Sequence, residues 1–206
     1  MMPDIRNLYL LLTIILLTGC GSTPVSHYYM LTPTVQLPIT PKLSDAALIG
    51  VGPIRFPKYL DRPQIVTRST NAEIYLAETD RWAEPLQENF TRVLAENLSL
   101  LLGTERISIE PSRNHDDVDY RITAEILQFD AGDNGEVVLL VYWSIQSRDG
   151  VNLTGIQKSE IRLPLSRSVV RADIVIKLSE TIAELGSEIA ISISQITTKP
   201  TQVNTP

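Results

Sequence analysis

A chain of 206 residues is long enough to bury one sizeable hydrophobic core. With a single cysteine it forms neither an intrachain disulfide nor a thiolate metal cluster. A formal net charge of −6 argues against nucleic acid or an anionic membrane face as the ligand, because phosphate recognition rests on clustered Lys and Arg.

In chain order, Leu8 to Leu17 is an almost unbroken aliphatic run, the length of a signal-peptide core and too short to span a bilayer. Arg6 supplies the positive charge ahead of it, and Leu17-Thr18-Gly19-Cys20 follows directly. That tetrapeptide is similar to a bacterial lipobox, in which the Cys thiol takes a diacylglycerol, the peptide is cut before it and the new amine is acylated. A thiolate is the nucleophile that such a transfer needs, and small neighbours let the cleavage enzyme approach. Residues 1–19 are therefore expected to be a signal peptide, and 20–26 a tether lipidated at Cys20. Two or three acyl chains, at about 0.8 kcal/mol per buried methylene, make such an anchor effectively permanent. Gly21 and Ser22 follow the cysteine, in place of the Asp that retains Gram-negative lipoproteins in the inner membrane. The expected location is the periplasmic face of the outer membrane. No later apolar run is long enough to predict a transmembrane helix.

His27 to Leu31 reads as a first strand, and Thr32 to Lys42, with Pro33, Pro38 and Pro41, as a loop. Ala47 to Val51 is a second strand ended by Gly52-Pro53, and Gln64 to Arg68 and Glu73 to Ala77 are two more. Glu84-Pro85 opens a helix, since Pro costs nothing at the first helical position. Leu86, Phe90, Val93, Leu94, Leu98, Leu101 and Leu102 then recur at helical spacing up to Gly103. Arg106 to Glu110 is a short strand before the polar loop Pro111 to Asp117. Tyr120, Ile122, Ala124 and Ile126 alternate with polar residues, Asn134-Gly135 supplies a tight turn, and Val137 to Ile145 is the next strand. Asp149-Gly150 turns the chain into Leu153 to Leu163. From about Val169 to Ile196 a long second helix carries Val175, Leu178, Ile182, Leu185, Ile189 and Ile193, and residues 198–206 are a polar tail expected to be disordered. The order predicts a single α+β domain over residues 27–197: an antiparallel sheet with a C-terminal three-strand meander and two main helices packed on it.

Chemistry is sparse. His27 lies beside the tether, and His115 sits in Asn114-His115-Asp116-Asp117, whose spacing matches no metal motif and reads as a solvated acidic loop. Asp130 to Glu136 departs from the oxygen order of a calcium loop, and the Asn-Gly hairpin accounts for it. There is no Gly-x-Ser-x-Gly elbow and no Ser paired with a His base. No catalytic residue, metal ligand or cofactor is expected beyond the diacylglycerol and N-acyl lipid on Cys20, and the chain reads as a protein that acts by association.

Two candidate contact surfaces remain. The strand from Val137 to Ile145 is apolar on both faces. Val138, Leu140 and Tyr142, with Leu127 and Phe129 from the preceding strand, form a second patch, either covered by a helix or the N-terminal loop or left as a protein interface. The other surface is Tyr59, Leu60, Asp61 and Arg62, in the loop between Pro57 and Pro63. It is either a rigid turn with an internal Asp61–Arg62 pair or a recognition loop in which Arg62 makes two-pronged bonds to a partner carboxylate.

Val51-Gly52-Pro53, Tyr59 to Arg68, Arg81-Trp82-Ala83-Glu84-Pro85-Leu86, Arg92 to Leu98 and Asp119-Tyr120-Arg121 together resemble the PqiC (YmbA) family of ABC-type transport auxiliary lipoproteins, the paraquat-inducible intermembrane transport lipoproteins. The resemblance runs from the lipobox to the second helix. It implies a non-enzymatic outer-membrane lipoprotein docking the distal end of a periplasmic tunnel built by an MCE-domain protein, which meets an inner-membrane subunit of the same system. The cargo so implied is lipid or another hydrophobic molecule, and the assembly a homo-oligomeric ring. The alternative is a periplasmic lipid carrier with a hydrophobic cavity of its own.

Overall fold

The computed structural model describes residues 24–34, 47–69, 73–110, 118–166 and 171–198. Cys20, the loop around His115 and the polar tail after residue 198 lie outside those residues. Strands and helices follow in the expected order: β1 (His27–Tyr29), β2 (Ile49–Arg55), β3 (Gln64–Arg68), β4 (Ile74–Trp82), α1 (Leu86–Leu102), β5 (Ile107–Ile109), β6 (Tyr120–Gly132), β7 (Glu136–Ser147), β8 (Gln157–Pro164) and α2 (Arg171–Thr198). A 3-10 turn, Lys58–Leu60, lies in the β2–β3 connection.

All eight strands join one open sheet whose spine is β6. Along one edge β7 pairs antiparallel with β6, and β8 with β7, which is the predicted meander. Along the other edge β2 pairs with the Tyr120–Glu125 part of β6 and β3 with Ala131 and Gly132, both parallel. β2 and β3 therefore lie end to end, and the sheet forks there. β5 flanks β2 in parallel, β4 flanks β3 antiparallel, and β1 closes that branch parallel to β4. The sheet is thus mixed, with antiparallel pairing confined to the meander and β3–β4. Parallel neighbours are joined by long crossovers, so no local turn announces them.

β2, β4 and β8 differ from their expected bounds for visible reasons. β2 continues through Gly52-Pro53 to Arg55, because its register shifts between Val51 and Ile54 with Gly52 at φ 125°. A Cβ at Gly52 would stand 2.8 Å from the Glu110 carbonyl oxygen. β4 runs on past Ala77 to Trp82 through polar residues, because β1 and β3 pair with it on both edges. Its Asp80 carboxylate is held by Arg171 Nε at 3.4 Å and by the Tyr29 hydroxyl, which donates at 3.2 Å. β8 begins at Gln157 instead of Leu153, since the Thr154 hydroxyl, not a backbone carbonyl, accepts the Ile145 N–H at 3.0 Å.

The core fills one face of this sheet. α1 packs on β2 and β5, α2 on β7 and β8, and the two helices on each other. Phe56, Phe90 and Phe129 meet edge to face, with ring centroids 5.2–6.4 Å apart. Phe129 therefore belongs to the helix-covered core and not to the second patch. The cause is a register shift between Ile126 and Gln128, which leaves Leu127 exposed and turns both Ile126 and Phe129 inward. The segment after β1 straps the helices together. The Leu31 N–H donates to Asn89 Oδ1 at 2.7 Å, the Thr32 N–H to Ser179 Oγ at 3.2 Å and the Thr34 N–H to Asn97 Oδ1 at 3.3 Å.

Candidate functional site

Two segments 20 or so residues apart in sequence, Pro57 to Gln64 and Arg81 to Leu86, converge at the start of α1. The Trp82 N–H donates to the Pro63 carbonyl at 2.7 Å, Gln64 stands opposite Arg81, and the Ala83 N–H donates to the Tyr29 carbonyl at 2.9 Å. The 3-10 turn closes through Leu60 N–H to Pro57 O at 3.0 Å, and Pro57, Pro63 and Pro85 stiffen the backbone around it. Between the segments lies a cleft of 360 Å³, and Asp61, Arg62, Pro63, Trp82, Glu84 and Leu86 are among its walls. A smaller neighbour of 200 Å³ lies between Phe56, Asp61, Pro85 and Glu88. A larger one of 540 Å³ lies between Pro53, Ile54, Thr91, Arg92 and Ile109. Glu84 accepts a hydrogen bond from Arg92, which also reaches Glu96 at 3.4 Å, so these charges are internally settled.

The predicted contact residues separate into those that build the fold and those that face solvent. Leu60 is 2% exposed and belongs to the core. Tyr59 donates its hydroxyl to Asp130 Oδ2 at 2.9 Å, and Arg68 lies over its ring, 5.1 Å from the centroid. Arg68 also donates to Asp130 Oδ2 from Nη2 at 3.1 Å, and Gln128 Nε2 donates to Asp130 Oδ1 at 2.8 Å. Burial, then the Asp130 charge, push the Tyr59 phenol up to about 12. Tyr59 therefore pins the loop to the sheet. Asp61 is exposed and Arg62 half-buried, with no ion pair between them among the described residues.

On the sheet face away from the helices, Val138 is buried beside Asp130, Leu140 is half-buried, and Tyr142 is 39% exposed. Tyr142 borders a cleft of 290 Å³ with Pro53, Arg55, Glu125, Gln146 and Ile156. The two candidate surfaces touch at one end only, where Tyr59 bonds the residue opposite Val138. Asp130 to Glu136 is the β6–β7 hairpin: Asn134 Oδ1 accepts the Glu136 N–H at 3.2 Å. Among the described residues no group of three or more His, Cys, Asp or Glu is placed to hold a metal ion. Asn89 and Asn97, which carry the strap, went unremarked in the sequence, although two buried amides in an otherwise apolar helix stripe are a readable sign of a fixed backbone partner.

A family model described as the ABC-type transport auxiliary lipoprotein component matches residues 29–190. The intermembrane transport lipoprotein PqiC of Escherichia coli (strain K12) is 24% identical over 128 residues, covering 62% of this chain and 67% of that protein, and PqiC of Shigella flexneri matches equally. Among solved structures, protein XCC0632 from Xanthomonas campestris superposes with a TM-score of 0.66 at 15% identity, over 84% of this chain and all of that one. A further crystal structure of an uncharacterized protein gives 0.67 at 20% identity, over 82% of this chain and 99% of that one. These structures share the fold, and the matched family is one of transport auxiliary components and not of enzymes. The chain belongs to the ABC-type transport auxiliary lipoprotein family.

Proposed function

We propose that this protein is the outer-membrane lipoprotein of an intermembrane transport system for lipid or other hydrophobic molecules. It is anchored through Cys20, and it docks an MCE-type periplasmic tunnel protein whose other end meets the inner-membrane subunit. Copies of the chain assemble into a ring around that end. The family match across residues 29–190 carries this reading. The similarity to the Escherichia coli intermembrane transport lipoprotein PqiC supports it. No described helix is long and apolar enough to cross a membrane; in this reading the acyl chains on Cys20 supply the attachment.

The packing supports an adaptor over a lipid carrier. The space between helices and sheet is filled by Phe90, Leu94, Phe129, Leu139, Ile182 and Ile189, all buried, which leaves that interface as a close-packed core. In-cell crosslinking and fractionation test the proposal. The wild-type chain is expected in the outer membrane, crosslinked to an MCE-domain protein, and Cys20→Ser is expected to be lost from that fraction. Cys20→Ser at wild-type level in the outer membrane would remove the lipid anchor from the reading. Lipid co-purifying stoichiometrically with the delipidated domain in native mass spectrometry would favour the carrier.

A further inference from the structure

Arg62 and Arg81, one from each of the converging segments, bury their Nε atoms without a hydrogen-bond partner. Among the described residues neither guanidinium enters an ion pair, whereas Arg68, Arg92, Arg162 and Arg171 each hold a carboxylate. Arg55 and Arg106 are exposed, where water serves them, but Arg62 and Arg81 are half-buried. A guanidinium held half out of water without a counter-charge gains more from an arriving carboxylate than an exposed arginine does.

We propose that the cleft between Arg62, Trp82 and Pro85 receives a carboxylate from a partner protein, an Asp or Glu flanked by apolar residues. This rests on the adaptor reading above. Among the described residues Arg62 is the one cation on the walls of that cleft, and Pro63, Trp82, Pro85 and Leu86 give it an apolar lining. The two Nη groups of Arg62 are not enclosed and take a carboxylate end-on through paired N–H bonds. Arg81, the residue before Trp82, adds positive potential behind the wall. Asp61 and Glu84 on the cleft walls, with a net charge of −6 over the chain, repel a surface dense in phosphate. Glu84 is offset by Arg92, so a single carboxylate beside Arg62 faces Asp61 alone. The prolines and the Trp82–Pro63 bond hold the cleft in shape before the partner arrives, which lowers the ordering cost of binding.

The test places benzoylphenylalanine at Ala83, which lines the cleft and is exposed, in the full chain in living cells, with a second probe at Tyr142. Light is expected to join position 83 to a peptide of a second protein that contains Asp or Glu beside apolar residues. Arg62→Ala should reduce that yield about tenfold or more. Arg62→Glu should abolish it, and reversal of the crosslinked acid to Arg in the partner should restore it. The restoration excludes misfolding as the cause of the loss. Crosslinks from position 83 to lipid or to another copy of this chain, or undiminished yield with both Arg62 variants, would overturn the site. A second protein captured at position 142 and never at 83 overturns the site and leaves the adaptor reading intact. No second protein from either probe overturns both.

Discussion

Asp130→Asn removes a charge from the most enclosed polar group of the outer sheet face. The Asp130 side chain is 0% exposed, and its hydrogen-bond partners among the described residues are donors: Tyr59 at 2.9 Å, Arg68 at 3.1 and 3.3 Å, and Gln128 at 2.8 Å. An amide of the same shape must turn its NH2 toward one of these donors, whichever way it faces. Removing one member of a buried ion pair costs about 3–5 kcal/mol when the remaining charge stays dry. The Arg68 side chain is 30% exposed and regains water, so the expected loss is about 2–3 kcal/mol. At about 2–4 °C per kcal/mol for a domain of this size, the melting temperature falls by about 5–10 °C. Urea denaturation followed through Trp82 and Trp143 fluorescence measures the loss, and Arg68→Met alone and combined with Asp130→Asn completes a double-mutant cycle. The double variant is expected to lose less than the two single losses added together. Asp130→Asn within about 0.5 kcal/mol of wild type, or strictly additive losses, would refute a structural role for the cluster.

Three further outcomes are expected. Tyr59 ionises near 10 when unfolded but near 12 when folded, so its contribution to stability is complete below pH 10 and is lost as pH rises through about 12. Ultraviolet titration of the chain from Cys20 onward should show it as the last of six tyrosines to ionise, and all six titrating together near pH 10 would contradict the burial. Gly52→Ala forces a Cβ to 2.8 Å from the Glu110 carbonyl at φ 125°, and should cost about 1–3 kcal/mol by urea midpoint; an unchanged midpoint would show that the bulge relaxes freely. Tyr142→Asp, on an exposed ring, should leave the melting curve within about 0.5 kcal/mol of wild type. A fall in melting temperature with a fall in mass by light scattering would instead place Tyr142 between copies.

Where local chemistry decides, the fold was legible in the sequence. β3 occupies Gln64–Arg68 as read, and α1 follows its leucine and phenylalanine spacing to the last turn, because a helix stripe and a turn-bounded strand are encoded by near neighbours. The forked sheet was not legible, since the pairing of β2 and β3 with one edge of β6 joins residues more than 60 positions apart. Phe129 was assigned to the wrong face because a single register shift reverses alternation, and nothing in Ile126-Leu127-Gln128 marks it. At the candidate site each motif was visible as a segment, but their meeting across the cleft was not. Tyr59 illustrates the limit. An aromatic between prolines reads equally as anchor or recognition residue until Asp130 is found beneath it.

Tension arriving from the N-terminal side, where Cys20 lies, would load the domain along the axis of β1. That strand runs parallel to β4, so its bonds to Asp80, Arg81 and Trp82 are strained side by side and share the load, where a strand peeled from its end loses bonds singly. Just beyond, Leu31 and Thr32 are fastened to Asn89 on α1 and Ser179 on α2. With the anchor proposed at Cys20, the chain leading from it is tied into both layers of the molecule, and a fluctuating membrane would pull on the whole body before it could unravel an edge.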